Sequence, residues 1–411
     1  MPPSRDAIEE ALRRLHQYCR KADWRGWDPY DGLNSRLFQA LPFRRWRVCR
    51  LAWTQMFKRS RVNLRGIAGV PKAHNPKGLA LFARGLVRLA QAGCGWIAPD
   101  DVAAMFDLLK RHRSPGYAPW CWGYNFDWQG RAFFVRRFEP NAVATTFAAH
   151  AFLDRYNARA DGSDLEIARS ACDFLLNHLR RPHESAGQIC FSYTPFDTAI
   201  VHNVNLLIAA LLARVGSATQ EASLADGARR AVAFSLAHQA ADGSWPYGSA
   251  SFQGWVDHFH TCYNLLALDD CRRWLGTSDY DAAIERGLGF YFDRLFRSDG
   301  LPRPDTRSLW PIDIHSVALA LITLERFDGR HSDCCALREK IVEWVLRDMQ
   351  DRGGFFYCQK RAHSTVRIPY MRWSQAWMFY ALSLLVVSER PHGAVKDVDG
   401  ESRPSTLADL D

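Results

Sequence analysis

The sequence predicts an all-α fold: a single (α/α)6 toroid, or six-hairpin barrel, of alternating outer and inner helices over residues 1–388. Three observations predict it. Segments apolar on nearly every side recur six times, helices with one charged face alternate with them, and the polar starts of the apolar segments keep a constant spacing. A helix apolar all round is buried on both faces, and self-similarity at a fixed period marks a repeated supersecondary unit.

The spacing is clearest in "VHNVNLLIAALLARVG" (201–216), "VDHFHTCYNLLALDDCRRWLG" (256–276) and "IDIHSVALALITLERF" (312–327). His202 to His258 is 56 residues, and Asp257 to Asp313 is also 56. Residues 75–93, 140–156 and 371–387 supply three more inner helices. Amphipathic periodicity places outer helices at 5–22, 100–113, 163–181, 221–239, 278–296 and 332–350. Gly-marked loops such as "ADGSWPYG", "SDGLPRP" and "DRGGFFY" turn the chain from outer to inner helix. No stretch alternates with period two for long enough to predict a sheet. The polar end, 389–411, is expected to be a disordered extension.

Composition narrows the function. Aromatic residues make up 13% of the chain, with 15 Trp, which suits either an aromatic-lined cavity or a core filled by bulky rings. The net charge of +9 is densest in Arg at 43–53 and 57–65. No zinc-finger spacing or RNA-binding aromatic signature accompanies it, so nucleic acid is not an expected partner. Arg alternating with Phe, Trp and Leu over 43–65 fits either peripheral contact with a membrane or polysaccharide machinery, or a solvated helix face. The 11 cysteines form no paired framework, no signal-peptide stretch opens the chain and no run reaches the length of a membrane span. The expected compartment is the cytoplasm.

Parallel inner helices bring their N-termini to one mouth, where the helix dipoles favour anions. Asp257, His258, His260, Asp313 and His315 are therefore candidate site residues, although Asp also caps helices without any function. The segment "YAPWCWGYNFDWQGRAFF" (117–134) sets Trp120, Trp122, Tyr124, Phe126 and Trp128 around Asp127. Rings that stack on apolar sugar faces beside an acid describe a sugar site; a rigid loop packed by its own aromatics is the alternative. "WRGWDPYDGLNS" (24–35) adds Asp28, Tyr30 and Asp31. Tyr193, Asp197, His202, Asn203 and Asn205 are expected near the same mouth, with Lys72, Lys77, Arg372 and Gln375 as positive or amide groups. Trp245, Trp310 and Trp373 complete the expected substrate-binding set. Gln239, Gly243 and Trp245 also resemble the QW motif of terpene cyclases; capping a helix end and covering a turn explain them as well.

These parts suit a hydroxyl-rich ligand: an oligosaccharide or sugar-containing substrate, with or without a uronate carboxylate. Asp127 and Asp257 are the expected acid–base pair, assisted by His260, His315, Asp313 and Tyr30. Two carboxylates flanking a glycosidic bond support hydrolysis, whereas His or Tyr removing a proton beside a uronate carboxylate supports lyase or epimerase chemistry. Asp257, Cys262 and His315 are zinc-compatible types, but no short-range ligand pair accompanies them, so neither metal nor cofactor is expected.

The segments "WRGWDPYDGLNS", "NPKGLALF", "CWGYNFDWQ", "FSYTPFD", "DGSWPYG" and "WPIDIHS" together resemble the polysaccharide-biosynthesis proteins of bacterial exopolysaccharide gene clusters, which belong to the six-hairpin glycosidase-like toroids. The resemblance covers roughly residues 8–388. It implies a role in surface-polysaccharide production and leaves the reaction open. A non-catalytic glycan-binding accessory protein is one alternative, and an isoprenoid toroid of the terpene cyclase or prenyltransferase kind is another.

Overall fold

Each inner helix begins where a capping side chain meets an apolar run. In the computed structural model, which describes residues 4–131 and 133–388, Asn75 caps α4 (Pro76–Gln91), Asn141 caps α6 (Ala142–Arg159), Asp257 caps α10 (His258–Leu275) and Asp313 caps α12 (Ile314–Arg326). In each case the side-chain oxygen accepts a first-turn amide, as helix starts require. The other inner helices are α8 (His202–Thr219) and α14 (Trp377–Ser388), the latter led in by a π-helical turn from Met371. The tail expected at 389–411 lies outside the described residues.

The outer helices are α1 (Arg5–Lys21), α5 (Pro99–Arg111), α7 (Gly162–His178), α9 (Ala222–Leu236), α11 (Asp281–Arg294) and α13 (Asp333–Trp344). Inner helices pack in the order α4–α6–α8–α10–α12–α14, and α14 returns to α4, so the ring is closed. The core lies between inner and outer layers. Two further helices, α2 (Arg36–Gln39) and α3 (Arg47–Arg59), form an insertion between α1 and α4.

A second regularity ties the mouth together. The first amide of an inner helix donates to a carbonyl in the loop that leads into the next one: Ala142 to Tyr193, His202 to Tyr247, His258 to Pro304, Ile314 to Cys358 and, across the closing seam, Met371 to Trp27. The sixth helix begins with Pro76, which has no N–H to give.

The structure differs from expectation in one respect. Small antiparallel sheets decorate the loops: β1 (Trp128–Gln129) with β2 (Phe134–Val135), β3 (His183–Glu184) with β4 (Ile189–Cys190), and β5 (Ile312–Asp313) with β6 (Gln359–Arg361) and β7 (Ser364–Val366). Strands of two or three residues are too short to leave an alternating pattern.

Candidate active site

The mouth is rimmed by rings. Tyr30 meets Trp128 at 6.2 Å and Trp373 at 5.6 Å, and Trp128 meets Tyr193 at 5.7 Å. The Tyr124 and Tyr193 hydroxyls are 3.1 Å apart. On the other side Trp373 lies 4.3 Å from His315, Phe259 lies 4.0 Å from His260, and His260 lies 4.6 Å from Tyr247, which stacks on Trp255. Tyr30, Trp128, Tyr247, Phe259 and His260 keep partial exposure, so a ligand can reach them.

Three polar constellations sit in this rim. The first answers why α10 opens with an acid and two histidines. Asp257 accepts the His260 amide at 2.9 Å as helix cap, and its Oδ2 accepts both the His260 Nδ1–H at 2.6 Å and the Trp255 indole N–H at 3.0 Å. Burial alone would raise the Asp257 pKa, but the His260 charge and these hydrogen bonds hold it below the usual carboxylate value. With Nδ1 committed, Nε2 is the His260 nitrogen left for a ligand. His258 points away: its ring packs against Tyr291 and Phe296, and burial lowers its pKa to about 3.

The second constellation is a relay. The Lys77 Nζ donates to the Tyr263 hydroxyl at 3.1 Å, and that hydroxyl is 3.0 Å from His315 Nε2. Lys77 forms no ion pair with a carboxylate among the described residues; instead it faces the rings of Phe147, Tyr263 and Trp377 at 4.4–5.2 Å. Burial, then the Arg372 charge, pulls its pKa well below the ordinary lysine value. His315 is likewise lowered, by burial and then by Lys77 and Arg372, and its buried Nδ1 has no partner.

The third is a buried ion pair. Asp28 receives Arg372 at 2.6 and 2.8 Å in a bidentate fork, and Arg372 lies over Tyr124 and Trp373. Nearby, Asp313 accepts from the His315 amide, the Trp373 indole and Gln359 at 2.8–2.9 Å. Burial raises its pKa despite those bonds. Lys58 of α3 reaches over Tyr30 at 4.8 Å.

Several residues expected at the site belong elsewhere. Trp122 is wholly buried and donates to the Leu109 carbonyl, and Trp245 is 2% exposed and donates to Ser235; neither ring can serve as a sugar platform. Asp31 is spent on the buried Arg65 at 2.6 Å. Asp197 accepts backbone amides of Tyr193, Thr194 and Ala199 and so braces its loop. His202 is turned outward onto Phe234 and His238. Asn203 is buried with its Oδ1 unpartnered. Trp310 stacks with Arg297 and lines a separate open groove with Trp344 and Lys340. Asp127, by contrast, adjoins Trp128 of the rim; it is half-buried at the foot of the β1–β2 hairpin and accepts the Arg137 amide at 2.8 Å. Tyr263, Tyr247, Phe259 and Lys58 do not stand out in the sequence, because a Tyr or Phe inside an apolar helix or Gly-rich loop reads as core and Lys58 lies in a basic stretch that reads as a surface face.

No protein-family model matches the chain, and no curated protein does. Solved structures do match. The cellobiose 2-epimerase of Bacillus thermoamylovorans superposes with a TM-score of 0.60 at 9% identity, over 78% of this chain and 90% of that one. The unsaturated glucuronyl hydrolase of Bacillus sp. GL1 gives 0.57 at 15% identity, over 93% and 96%. A GH76 α-mannanase of Bacteroides thetaiotaomicron gives 0.54 at 14% identity, over 75% and 86%. The shared property is the (α/α)6 toroid, and a fold does not fix a reaction.

Proposed function

We propose that the chain is a carbohydrate-processing enzyme that moves a proton at a sugar carbon, of the epimerase or lyase type. His260 acts as the base, Asp257 orients it, and His315 with Tyr263 supplies a proton, to the opposite face of the carbon in epimerisation or to the departing glycosidic oxygen in elimination. The observation that carries this reading is the 2.6 Å His260–Asp257 pair at the aromatic mouth. The carboxylate fixes the imidazole tautomer and stabilises the imidazolium once the proton arrives.

Hydrolysis is less well served. It needs two uncommitted carboxyl groups across the scissile bond, yet Asp257 and Asp313 each accept three hydrogen bonds and Asp28 is locked to Arg372, which leaves Asp127 without a free partner among these acids. Trp128, Tyr30 and Trp373 form the platform for the sugar rings. A uronate carboxylate acidifies the C–H beside it and suits the Lys77 and Arg372 side of the funnel. The cellobiose 2-epimerase on the same fold offers a precedent for epimerisation of a disaccharide. The motif resemblance supports a role in bacterial surface-polysaccharide production, and the lack of a paired cysteine framework in the sequence favours the cytoplasm for it.

The test is incubation with neutral and uronate-containing oligosaccharides in heavy water, read by mass spectrometry. Deuterium uptake, or cleavage without addition of water to give an unsaturated end, that disappears in His260→Ala supports the proposal. Saturable binding without either change would move the protein to a glycan-binding role.

A further inference from the structure

The insertion that carries α2 and α3 is unlike the rest of the surface. Of the twelve large apolar side chains exposed among the described residues, seven lie between positions 37 and 67: Leu37, Phe43, Trp46, Val48, Met56, Val62 and Ile67. Trp46 is 67% exposed, Val48 76% and Ile67 89%. The same stretch is unusually charged. Residues 36–67 hold nine Arg or Lys and no acid, and the next acid after Asp31 is Asp100. Of those nine cations only Arg65 forms an ion pair among the described residues.

The two properties share a face. Within α3 the buried residues are Thr54 and Phe57. Val48, Ala52, Met56 and Arg59 follow at helical spacing on the opposite, exposed stripe. The loops on either side add Phe43, Arg45 and Trp46 before the helix, and Arg61 and Val62 after it.

We infer that this segment docks on a bilayer containing anionic phospholipid. Exposed aliphatic and Trp side chains enter the headgroup boundary, while surrounding guanidinium groups meet lipid phosphates. A second copy of the chain is disfavoured as occupant, since a self-complementary interface would bring eight unpaired cations against eight more. Nucleic acid would satisfy the charge but leave Val48, Val62 and Ile67 without a role. The segment is fixed to the rim of the funnel: Arg50 bonds Gln129, the Trp53 indole bonds the Gly32 carbonyl and Lys58 covers Tyr30. A bilayer bound there lies beside the mouth. The inference stands apart from the proposed reaction.

The experiment is flotation of the full chain with vesicles of phosphatidylcholine alone and of phosphatidylcholine mixed with phosphatidylglycerol. Binding is expected only to the mixed vesicles and should vanish in high salt. Two variants separate the contributions: Arg45→Glu/Arg59→Glu/Arg61→Glu, and Trp46→Ala/Val48→Asp, with unchanged circular dichroism as the check on folding. The charge variant should weaken partitioning at least about tenfold and the apolar variant should also weaken it, whereas Arg273→Glu, exposed near the C-terminal end of α10 and so away from the mouth, should not. Absence of binding to mixed vesicles, equal binding to both kinds, or full binding by both patch variants overturns the inference.

Discussion

Asp257 does two things at once, and they separate by substitution. Its Oδ1 caps α10 while its Oδ2 holds the His260 ring. Asn can still accept the His260 amide, but its amide group no longer supplies the negative charge that stabilises the imidazolium. Asp257→Asn should therefore keep the thermal midpoint near that of the parent and cut turnover by about 10²–10⁴-fold. Asp257→Ala should lose both, with a further cost of about 1 kcal/mol in stability. Equal losses of activity and stability in both variants would make the residue a cap alone. His202 is buried with both ring nitrogens unpartnered, and burial lowers its pKa to about 4. Below about pH 6.5 the unfolded chain binds a proton that the folded one refuses. Stability is thus lost as pH falls from there toward 4, by on the order of 2 kcal/mol at pH 5. His202→Phe should raise the melting temperature more at pH 5 than at pH 7.5. An equal shift at both would mean the imidazole is not excluded from protonation. At this scale the sequence was half legible: Asp257, His260 and His315 stand at helix starts, where polarity is conspicuous. Trp122 and Trp128 are six residues apart in one loop, and only tertiary packing decides which is core and which is rim.

Two loops show how one helical hairpin is fastened to the next. Gln239, at the end of α9, donates to the Gly243 carbonyl at 3.0 Å and to the Ala283 carbonyl of α11 at 2.9 Å. Gln350, after α13, does the same to Gly354 at 3.0 Å and to Ala11 of α1 at 2.9 Å. The QW-like motif is thus a staple between neighbouring outer helices, and its second copy spans the seam between the last and the first. Gly243 and Gly354 have φ of 89° and 93°, and a Cβ on either would collide with a carbonyl of the next outer helix, that of Arg286 or Arg14. Gly243→Ala and Gly354→Ala should each cost about 2–4 kcal/mol by denaturant unfolding. Gly276→Ala is the comparison: φ is 61° but nothing lies within 4 Å, so only about 1 kcal/mol should be lost. Similar losses at all three positions would put the cost in backbone strain and remove the packing argument. Helix positions themselves were readable, since residues 256–276 resolve into His258–Leu275 and 75–93 into Pro76–Gln91. All-round apolarity survives any register, whereas a staple of one amide between distant repeats leaves only a Gln four residues before a Gly.

The toroid has two unlike ends. The starts of the inner helices meet rings and titratable groups. Toward the other end ion pairs and a cation–ring contact join the helices. Arg84 of α4 and Arg214 of α8 both bond Asp154 of α6 at 2.7 Å, Arg84 also lies over the Tyr380 ring of α14, and Arg326 of α12 bridges Asp269 and Asp270 of α10. All six inner helices thus contribute to the closure. Burial would raise the Asp154 pKa, but the two guanidinium groups hold it well below the usual carboxylate range. Its ion pairs therefore persist through ordinary acid conditions, in which the buried histidines are already destabilising the fold. Removing the charge leaves two half-desolvated cations facing each other, and such losses exceed the worth of the pair itself. Asp154→Asn should accordingly cost about 2–4 kcal/mol in denaturant unfolding. The mouth begins at Asn141, thirteen residues and about 20 Å away along α6. Turnover per folded molecule should then stay at the parental level. A selective fall in turnover with stability intact would mean that the two ends are coupled, and that the closure sets the geometry of the His260–Asp257 pair as well as the integrity of the ring.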